Sequence, residues 1–311
     1  MEKFEKKATV KDIAREAGVS VATVSYILNN RTDQKISTET KKKVLQIANL
    51  LNYKPNHAAK SLVQGRNNII GIAYTNSKNI TRNSEISHLV NCLISRLSRV
   101  NYDVLFVKIP QDDNQFFVAR NVDAILAIDL SHEDFRNLAE AYMVPIICID
   151  MIIDDNLFYQ VYTDYEELLT EAKNILQTED FYLLMDSFSN LNFQNFVTKQ
   201  IDKNRIISSE DIQNQDFSDK KIITIGAFLA LTSYPYLKTE NTLVIAEENA
   251  TDILPKSLSF INSDTKQKLE KAITLLLNSL DRKFENAHEY KIRHTTNQEN
   301  NISNKETLQL F

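Results

Sequence analysis

The side chains best suited to binding chemistry lie together in one short stretch near the start of the chain. Between residues 20 and 29, hydroxyl and amide groups recur at helical spacing: Ser20, Thr23, Ser25, Tyr26 and Asn29. Such side chains donate and accept hydrogen bonds, but they form neither a nucleophile–base pair nor a metal-ligand set. With the small residues Val21 and Ala22 beside them, they indicate a helix face that recognises a polar surface.

The sequence lacks the short motifs that are typical of catalysis or cofactor binding. It contains no G-x-G-x-x-G, P-loop, C-x-x-C, H-E-x-x-H or G-x-S-x-G pattern. It has only four glycines, which disfavours loops that bring backbone close to a phosphate. Cys92 and Cys148 lie in apolar surroundings and are predicted to be small buried thiols in a reducing cytosol. We therefore expect no metal, no cofactor and no enzyme.

Two short helices around a tight turn are predicted to position the recognition face. Thr9 can cap the first helix, and Asp12 three residues later completes a near capping box. The inner face of that helix is an apolar stripe at i, i+3, i+4 and i+7: Val10, Ile13, Ala14 and Ala17. Gly18 stands where a helix end needs a left-handed residue, and Ser20 can cap the second helix. The inner face of the second helix comprises Val24, Ile27 and Leu28.

This arrangement is typical of a helix-turn-helix whose second helix enters the DNA major groove. An ordinary helical hairpin is the alternative. The charge distribution favours DNA, because residues 1–66 carry 13 Lys and Arg against 6 Asp and Glu, a net charge of +7. The rest of the chain has a net charge of −12. A basic head on an acidic body indicates a nucleic-acid-binding module joined to a part that avoids nucleic acid.

Further motifs in residues 9–75 are shared with a known family. They are Thr-Val-Lys-Asp-Ile-Ala at 9–14, Ala-Gly-Val-Ser at 17–20, Ala-Thr-Val-Ser at 22–25, a helix start at Ser37 and Thr40, and Tyr53-x-Pro-Asn-x-x-Ala-x-x-Leu62. In these motifs the chain resembles the lactose-repressor family of bacterial transcription regulators, and the likeness is much weaker beyond residue 75. The expected organisation is a helix-turn-helix head at 1–51, a hinge helix and linker at 52–66, a body at 67–293 and a polar, disordered tail at 294–311.

The resemblance implies DNA-contact roles for residues of the head and hinge. Val21, Ala22 and Tyr26 match positions that reach base edges, and Tyr26 stands where many members have an arginine. Contacts to phosphate are expected from Ser20, Thr23, Ser25, Asn29, Arg31 and Lys35, and Thr9 is a further expected DNA-binding residue. The hinge helix is expected to order on DNA and, paired across the dimer, to insert Leu62 into the minor groove. Asn56, Ala59 and Lys60 of this segment are further expected DNA-binding residues. Ordinary packing under the head is the alternative for Leu62.

From residue 67 onward, short apolar runs alternate with amphipathic segments, which predicts parallel sheets covered by helices. Strands are predicted at 69–74, 104–109, 122–128, 144–150, 181–184, 222–225, 243–246 and 289–293. Helices are predicted at 84–98, 131–141, 166–176, 191–200, 228–237 and 264–280. The expected fold is an all-α head followed by a two-lobed α/β body that resembles periplasmic binding proteins.

In the family, the ligand lies between the lobes and is usually a sugar or a related metabolite. The residues expected to contact it here are Tyr74, Asp150, Asp164, Phe193 and Phe196. The second lobe departs from the family pattern: 186–196 lacks Arg-x-x-Gly, 225–230 lacks Asn-Asp, and Glu247 stands where an aspartate is expected. A sugar-like effector and a ligand-blind dimerisation or docking scaffold therefore both stay open.

The partners and location follow from the same resemblance. We expect a cytoplasmic homodimer that represses transcription from a near-palindromic operator in double-stranded DNA. No membrane segment is expected, because no apolar run is long enough to span a bilayer.

Overall fold

The structure is a computed structural model. It describes residues 8–28, 35–53, 66–109, 122–214, 216–248 and 250–293. The chain divides into two compact units, residues 1–65 and residues 66–311, which we call the head and the body.

The described part of the head contains three helices, α1 (Val10–Ala17), α2 (Val21–Leu28) and α3 (Thr38–Leu50). They share one apolar core, formed by Ile13, Ala14, Ala17, Val24, Ile27, Val44 and Ala48. The predicted inner and outer faces of α2 are confirmed, since Val24 and Ile27 are buried whereas Val21 and Ala22 are exposed. The helix-turn-helix pattern thus arises from helical spacing within each segment.

The body consists of two lobes, each a parallel sheet with helices. In lobe 1 the strand order is β11-β5-β4-β3-β1-β2. The strands are β1 (Ile69–Tyr74), β2 (Asp103–Phe106), β3 (Ala124–Ile128), β4 (Ile146–Ile149), β5 (Tyr159–Thr163) and β11 (Glu289–Ile292). The helices are α4 (Ile80–Arg99), α5 (His132–Ala141) and α9 (Thr265–Leu280). One apolar core contains α4 and α9, and another contains α5, so both faces of this sheet are buried.

In lobe 2 the strand order is β10-β9-β8-β6-β7, again with parallel pairing throughout. The strands are β6 (Tyr182–Leu184), β7 (Ile206–Ile207), β8 (Ile222–Ile225), β9 (Thr242–Ala246) and β10 (Ser259–Asn262). The helices are α6 (Tyr165–Leu176), α7 (Leu191–Thr198) and α8 (Ala227–Ser233). Short 3-10 turns occur at Lys203–Arg205, Asp211–Gln213, Tyr234–Tyr236, Thr239–Asn241 and Ala250–Ile253.

Within the described residues, the chain passes between the lobes twice, from β5 into α6 and from β10 into α9. In parallel sheets the carboxyl ends of the strands share one edge, and ligands bind at that edge. Residues that directly follow the strands include Asp129 after β3, Asp150 after β4 and Glu247 after β9. These strand ends form the cleft between the lobes.

All eight predicted strands of the body are present, with ends shifted by up to three residues. The sequence did not predict β5, β7 and β10. The helix predicted at 228–237 ends at Ser233 as an α-helix, and a 3-10 turn that contains Pro235 follows. Proline lacks the amide proton that would continue the α-helical hydrogen bonds. Among the described residues, no helix combines the length and apolar character needed to cross a bilayer.

Candidate nucleic-acid interface and interlobe cleft

Capping groups build the turn between α1 and α2. Thr9 N and Thr9 Oγ1 lie 2.9 and 2.7 Å from Asp12 Oδ2, and Asp12 N donates to Thr9 Oγ1 at 3.4 Å. Gly18 ends α1 with φ 68°, a left-handed conformation that strains other residues. Ser20 Oγ then accepts a hydrogen bond from Thr23 N at 3.0 Å. These bonds satisfy amides that each helix start would otherwise leave unpaired, and they fix where α2 begins.

The outer face of α2 combines small apolar side chains with hydroxyl groups. Val21 is 46% exposed, and Ala22 is also exposed. Thr23, Ser25 and Tyr26 are half-buried on the same helix. A surface valine beside hydroxyl groups can meet both the methyl groups and the polar edges of bases.

The structure places only some of the predicted DNA contacts. Thr9, Ser20 and Lys35 are exposed. The other predicted contacts outside α2, namely Asn29, Arg31, Asn56, Ala59, Lys60 and Leu62, lie outside the described residues. All the DNA-contact roles therefore stay predictions.

A small cavity of about 50 Å³ lies in the cleft between the lobes. Typical small-molecule sites measure roughly 300–1,000 Å³, so this space is closer to the size of a few water molecules. Charged side chains from both lobes line it: Arg82, Glu85, Asp150, Asp186, Glu247 and Lys268. The cleft is therefore narrow and rich in charge.

A buried ion pair lies on the lobe 1 side of the cavity. Lys268 of α9 is only 3% exposed, and its Nζ lies 2.8 and 3.0 Å from the two oxygens of Asp150. The same Nζ donates to Thr163 Oγ1 at 3.1 Å. Two carboxylate oxygens and a hydroxyl thus satisfy a cation that burial alone would disfavour.

A second buried pair joins Arg82 of α4 to Asp129, whose side chain has no exposed surface. Arg82 Nε and Nη2 donate to Asp129 Oδ2 at 3.1 and 2.7 Å. Burial alone would lower the pKa of Arg82, but the carboxylate of Asp129 keeps it above its ordinary value. The guanidinium carbon also lies 4.3 Å from the centre of the Phe188 ring in lobe 2, within cation–π range.

Glu85 and Glu247 are further carboxyl groups in the cleft, and neither forms an ion pair with a lysine or arginine among the described residues. Glu85 Oε1 accepts a hydrogen bond from Phe228 N at 2.9 Å, and burial raises the pKa of Glu85 to about 7. A side chain at Gly226 would place its Cβ 2.8 Å from that oxygen, so the glycine makes room for Glu85. Glu247 Oε2 lies 3.4 Å from His88 Nε2, and burial raises the pKa of Glu247 as well.

Of the five predicted ligand contacts, only Asp150 lines the cavity. Tyr74 packs edge-on against Phe106, and Asp164 pairs with Arg293 at 3.5 Å. Phe193 is fully buried in the core of lobe 2 and Phe196 packs against that core. The structure therefore does not bring these five residues together, and their ligand roles stay predictions.

Arg82, Glu85 and Lys268 line the cavity but were not among the predicted site residues. For Lys268 and Arg82 a local signal exists in the sequence. Lys268 falls in the apolar stripe of α9 with Leu269 and Ala272. Arg82 lies one turn before Ile86 on the buried face of α4. A charged residue inside an apolar stripe must have a partner when it is buried, so such residues are candidates for an internal ion pair.

The comparisons with known proteins concern both units. A family model described as bacterial regulatory proteins, lacI family, matches residues 9–56. The sucrose operon repressor of Pediococcus pentosaceus is 32% identical over 169 residues, which cover 51% of this chain and 48% of that protein. The HTH-type transcriptional repressor PurR of Mannheimia succiniciproducens is 24% identical over 324 residues, which cover 89% and 93%. The chain thus spans about half the length of the first of these relatives and nearly all of the second.

A solved structure extends the fold comparison to the body. The lac repressor dimer bound to operator and an anti-inducer aligns with 93% of this chain and 97% of that chain, at a TM-score of 0.60 and 18% identity. This likeness confirms the predicted fold, an α-helical head followed by a two-lobed α/β body. The relatives are transcription regulators, which agrees with the expectation that this chain is not an enzyme.

Proposed function

The chain belongs to the lacI family of bacterial regulatory proteins, and on that basis we propose that it is a sequence-specific DNA-binding repressor of transcription. The observation that carries the proposal is the capped helix-turn-helix of the head. Its second helix, α2, buries Val24 and Ile27 and presents Val21 and Ala22 outward. The net charge of +7 over residues 1–66 supports attraction to the DNA backbone.

We assign base contacts to Val21, Ala22 and Tyr26, and phosphate contacts to the surrounding polar and basic residues. The protein acts in the cytoplasm, and it binds a near-palindromic operator as a homodimer. The two-fold symmetry of the dimer lets its two heads bind the two half-sites of the operator. The hinge segment orders on DNA, and Leu62 enters the minor groove. The lac repressor was solved as a dimer bound to operator, which supports this assembly by analogy.

The test of DNA binding pairs two matched substitutions in the full-length protein. Val21→Glu places a negative charge on the outer face of α2, and Leu45→Glu makes a similar change on α3 at nearly equal exposure, 46% against 47%. After selection of an operator from random DNA, Val21→Glu should abolish binding and Leu45→Glu should retain it. Log affinity of the wild type should fall with log salt by about 0.9 per phosphate neutralised. A flat salt response, or equal loss in both variants, would contradict the proposal.

We further propose that a small metabolite, sugar-related as in the family, controls the repressor through the interlobe cleft. A ligand-blind body is the second candidate, and the 50 Å³ cavity with its buried ion pairs favours it. Thermal-shift screening against sugars and sugar phosphates separates the two. A ligand present at 100 times its dissociation constant should add about 2.7 kcal/mol to the free energy of unfolding. If no compound raises the Tm, the ligand-blind body is supported.

A further inference from the structure

Hydrogen bonds between groups of the chain itself tie the two lobes together across the cleft. Asp129 follows β3 in lobe 1, and its Oδ1 accepts from Ser189 N and Asn190 N of lobe 2 at 2.9 and 3.1 Å. In the opposite direction, Asp186 of lobe 2 accepts from Asn79 Nδ2 of lobe 1 at 3.0 Å and from the Thr81 hydroxyl. Each of these carboxylates is buried, so separating the lobes would break charge-assisted bonds in a dry environment.

Arg82 occupies the centre of this arrangement. Its guanidinium donates twice to Asp129 Oδ2, at 2.7 and 3.1 Å. Its carbon lies 4.3 Å from the centre of the Phe188 ring. Asp129 belongs to lobe 1 and Phe188 to lobe 2, so one cation contacts both walls of the cleft. Its side chain lines the cavity and is only 13% exposed.

The groups around Arg82 form a site for a planar cation. A carboxylate fixes the guanidinium edge through charge-assisted hydrogen bonds, and an aromatic face covers its plane. The carboxylate is itself held by two amides of lobe 2, so it cannot turn away to find another partner. Removal of the Arg82 side chain would leave Asp129 buried without its cation and would enlarge the existing cavity.

We propose that the Arg82 side chain fills a cation-binding site in the cleft and thereby holds the two lobes closed. The chemistry of this site suits a small cation that bears a guanidinium or amine group. A diffusible effector that opens the cleft therefore has to separate Arg82 from Phe188 of lobe 2. The existence of such an effector rests on the proposed function. The closure by Arg82 depends only on the contacts within the body.

Chemical rescue of the full-length protein without DNA tests the proposal. Dyes on Met143→Cys in lobe 1 and Asp219→Cys in lobe 2, in a Cys92→Ser background, report the interlobe distance by energy transfer. Both positions are almost fully exposed, and each precedes a strand, at the end of its sheet away from the cleft. Arg82→Ala should lower the transfer efficiency and the Tm. Millimolar methylguanidinium chloride should restore both, whereas equal sodium chloride should not.

Arg96→Ala is the matched control, because Arg96 is on the same helix and donates to the Cys92 carbonyl at 3.2 Å. Methylguanidinium should change neither the transfer efficiency nor the Tm of Arg96→Ala and of the wild type. If Arg82→Ala does not fold, Arg82→Met keeps the apolar stem and is judged by the interlobe distance alone, because its side chain fills the space that methylguanidinium needs. The proposal is overturned if the Arg82 variant keeps the wild-type interlobe distance, or if methylguanidinium does no more than sodium chloride. Operator binding is measured separately, so a failure of the repressor assignment would leave this result intact.

Discussion

Replacing Glu85 with glutamine should remove a partly buried negative charge from the cleft while keeping the side-chain length and the hydrogen-bond acceptor. Glu85 Oε1 accepts from Phe228 N at 2.9 Å, and the amide oxygen of glutamine can accept the same bond. Burial raises the pKa of Glu85 from 4.5 to about 7, and the negative charges of Glu247 and Asp186 add to this effect. Arg82 and the Phe228 amide oppose it.

The raised pKa of Glu85 gives both the magnitude and the sign of the expected change in the free energy of unfolding. A difference of about 2.5 pKa units, at about 1.4 kcal/mol per unit, corresponds to about 3 kcal/mol. The folded pKa is raised, so the folded protein holds the Glu85 proton more tightly than the unfolded chain does. This group therefore costs no stability below pH 4.5, increasingly lowers the free energy of unfolding as the pH rises toward 7, and exerts its full cost above that.

The assay is urea unfolding of wild type and Glu85→Gln followed by circular dichroism at several pH values between 4.5 and 8.5. The variant should be more stable by up to about 3 kcal/mol at pH 8 and close to the wild type at pH 4.5. Glu270→Gln changes an exposed glutamate of α9 and should show no such trend. A stability difference between Glu85→Gln and wild type that does not vary with pH, or a less stable variant at pH 8, would contradict this prediction.

Three further predictions concern the head, the hinge and the buried Lys268–Asp150 ion pair. Tyr26→Arg should shift base preference toward guanine at one symmetric pair of operator positions by ~1–3 kcal/mol, measured by selection from a random operator library; an unchanged consensus would exclude Tyr26 as a base reader. Leu62→Ala should weaken operator binding and reduce DNA bending, measured by energy transfer between the duplex ends, and equal bending with equal affinity would favour packing under the head. Lys268→Met should lower the free energy of unfolding by ~3–5 kcal/mol because Asp150 is left buried and unpaired. Adding Asp150→Asn should recover part of that loss in urea unfolding, and no recovery would contradict the ion-pair explanation.

The features that the sequence predicted well are those whose physical causes lie within a few residues of each other. Thr9 caps α1 through Asp12, three positions later. The sequence pattern did not predict strand β5 because its residues, Tyr-Gln-Val-Tyr-Thr, include a glutamine at a buried position. Gln160 is tolerated there because its amide donates to Ile153 O at 2.7 Å and accepts from Ile153 N at 3.0 Å. That compensation depends on a partner brought near by the loop before β5, which periodicity does not reveal.

The charged pairs of the cleft are even harder to predict from the sequence than β5. The same cause explains why the likeness to the family is strong in the head and weak in the body. Arg82 and Asp129 are 47 positions apart, and Lys268 and Asp150 are 118 apart. A helical stripe can indicate that a buried cation needs a partner, but it cannot indicate which of several carboxylates supplies it. The family model matches residues 9–56, where capping and turn geometry require particular residues at short spacing. The body needs only apolar strands and helices to keep its fold, and it aligns with the lac repressor at 18% identity. The chemistry of this cleft therefore depends on a few charged pairs that are distant in sequence, whereas the sheets that position them depend on the apolar pattern within each segment.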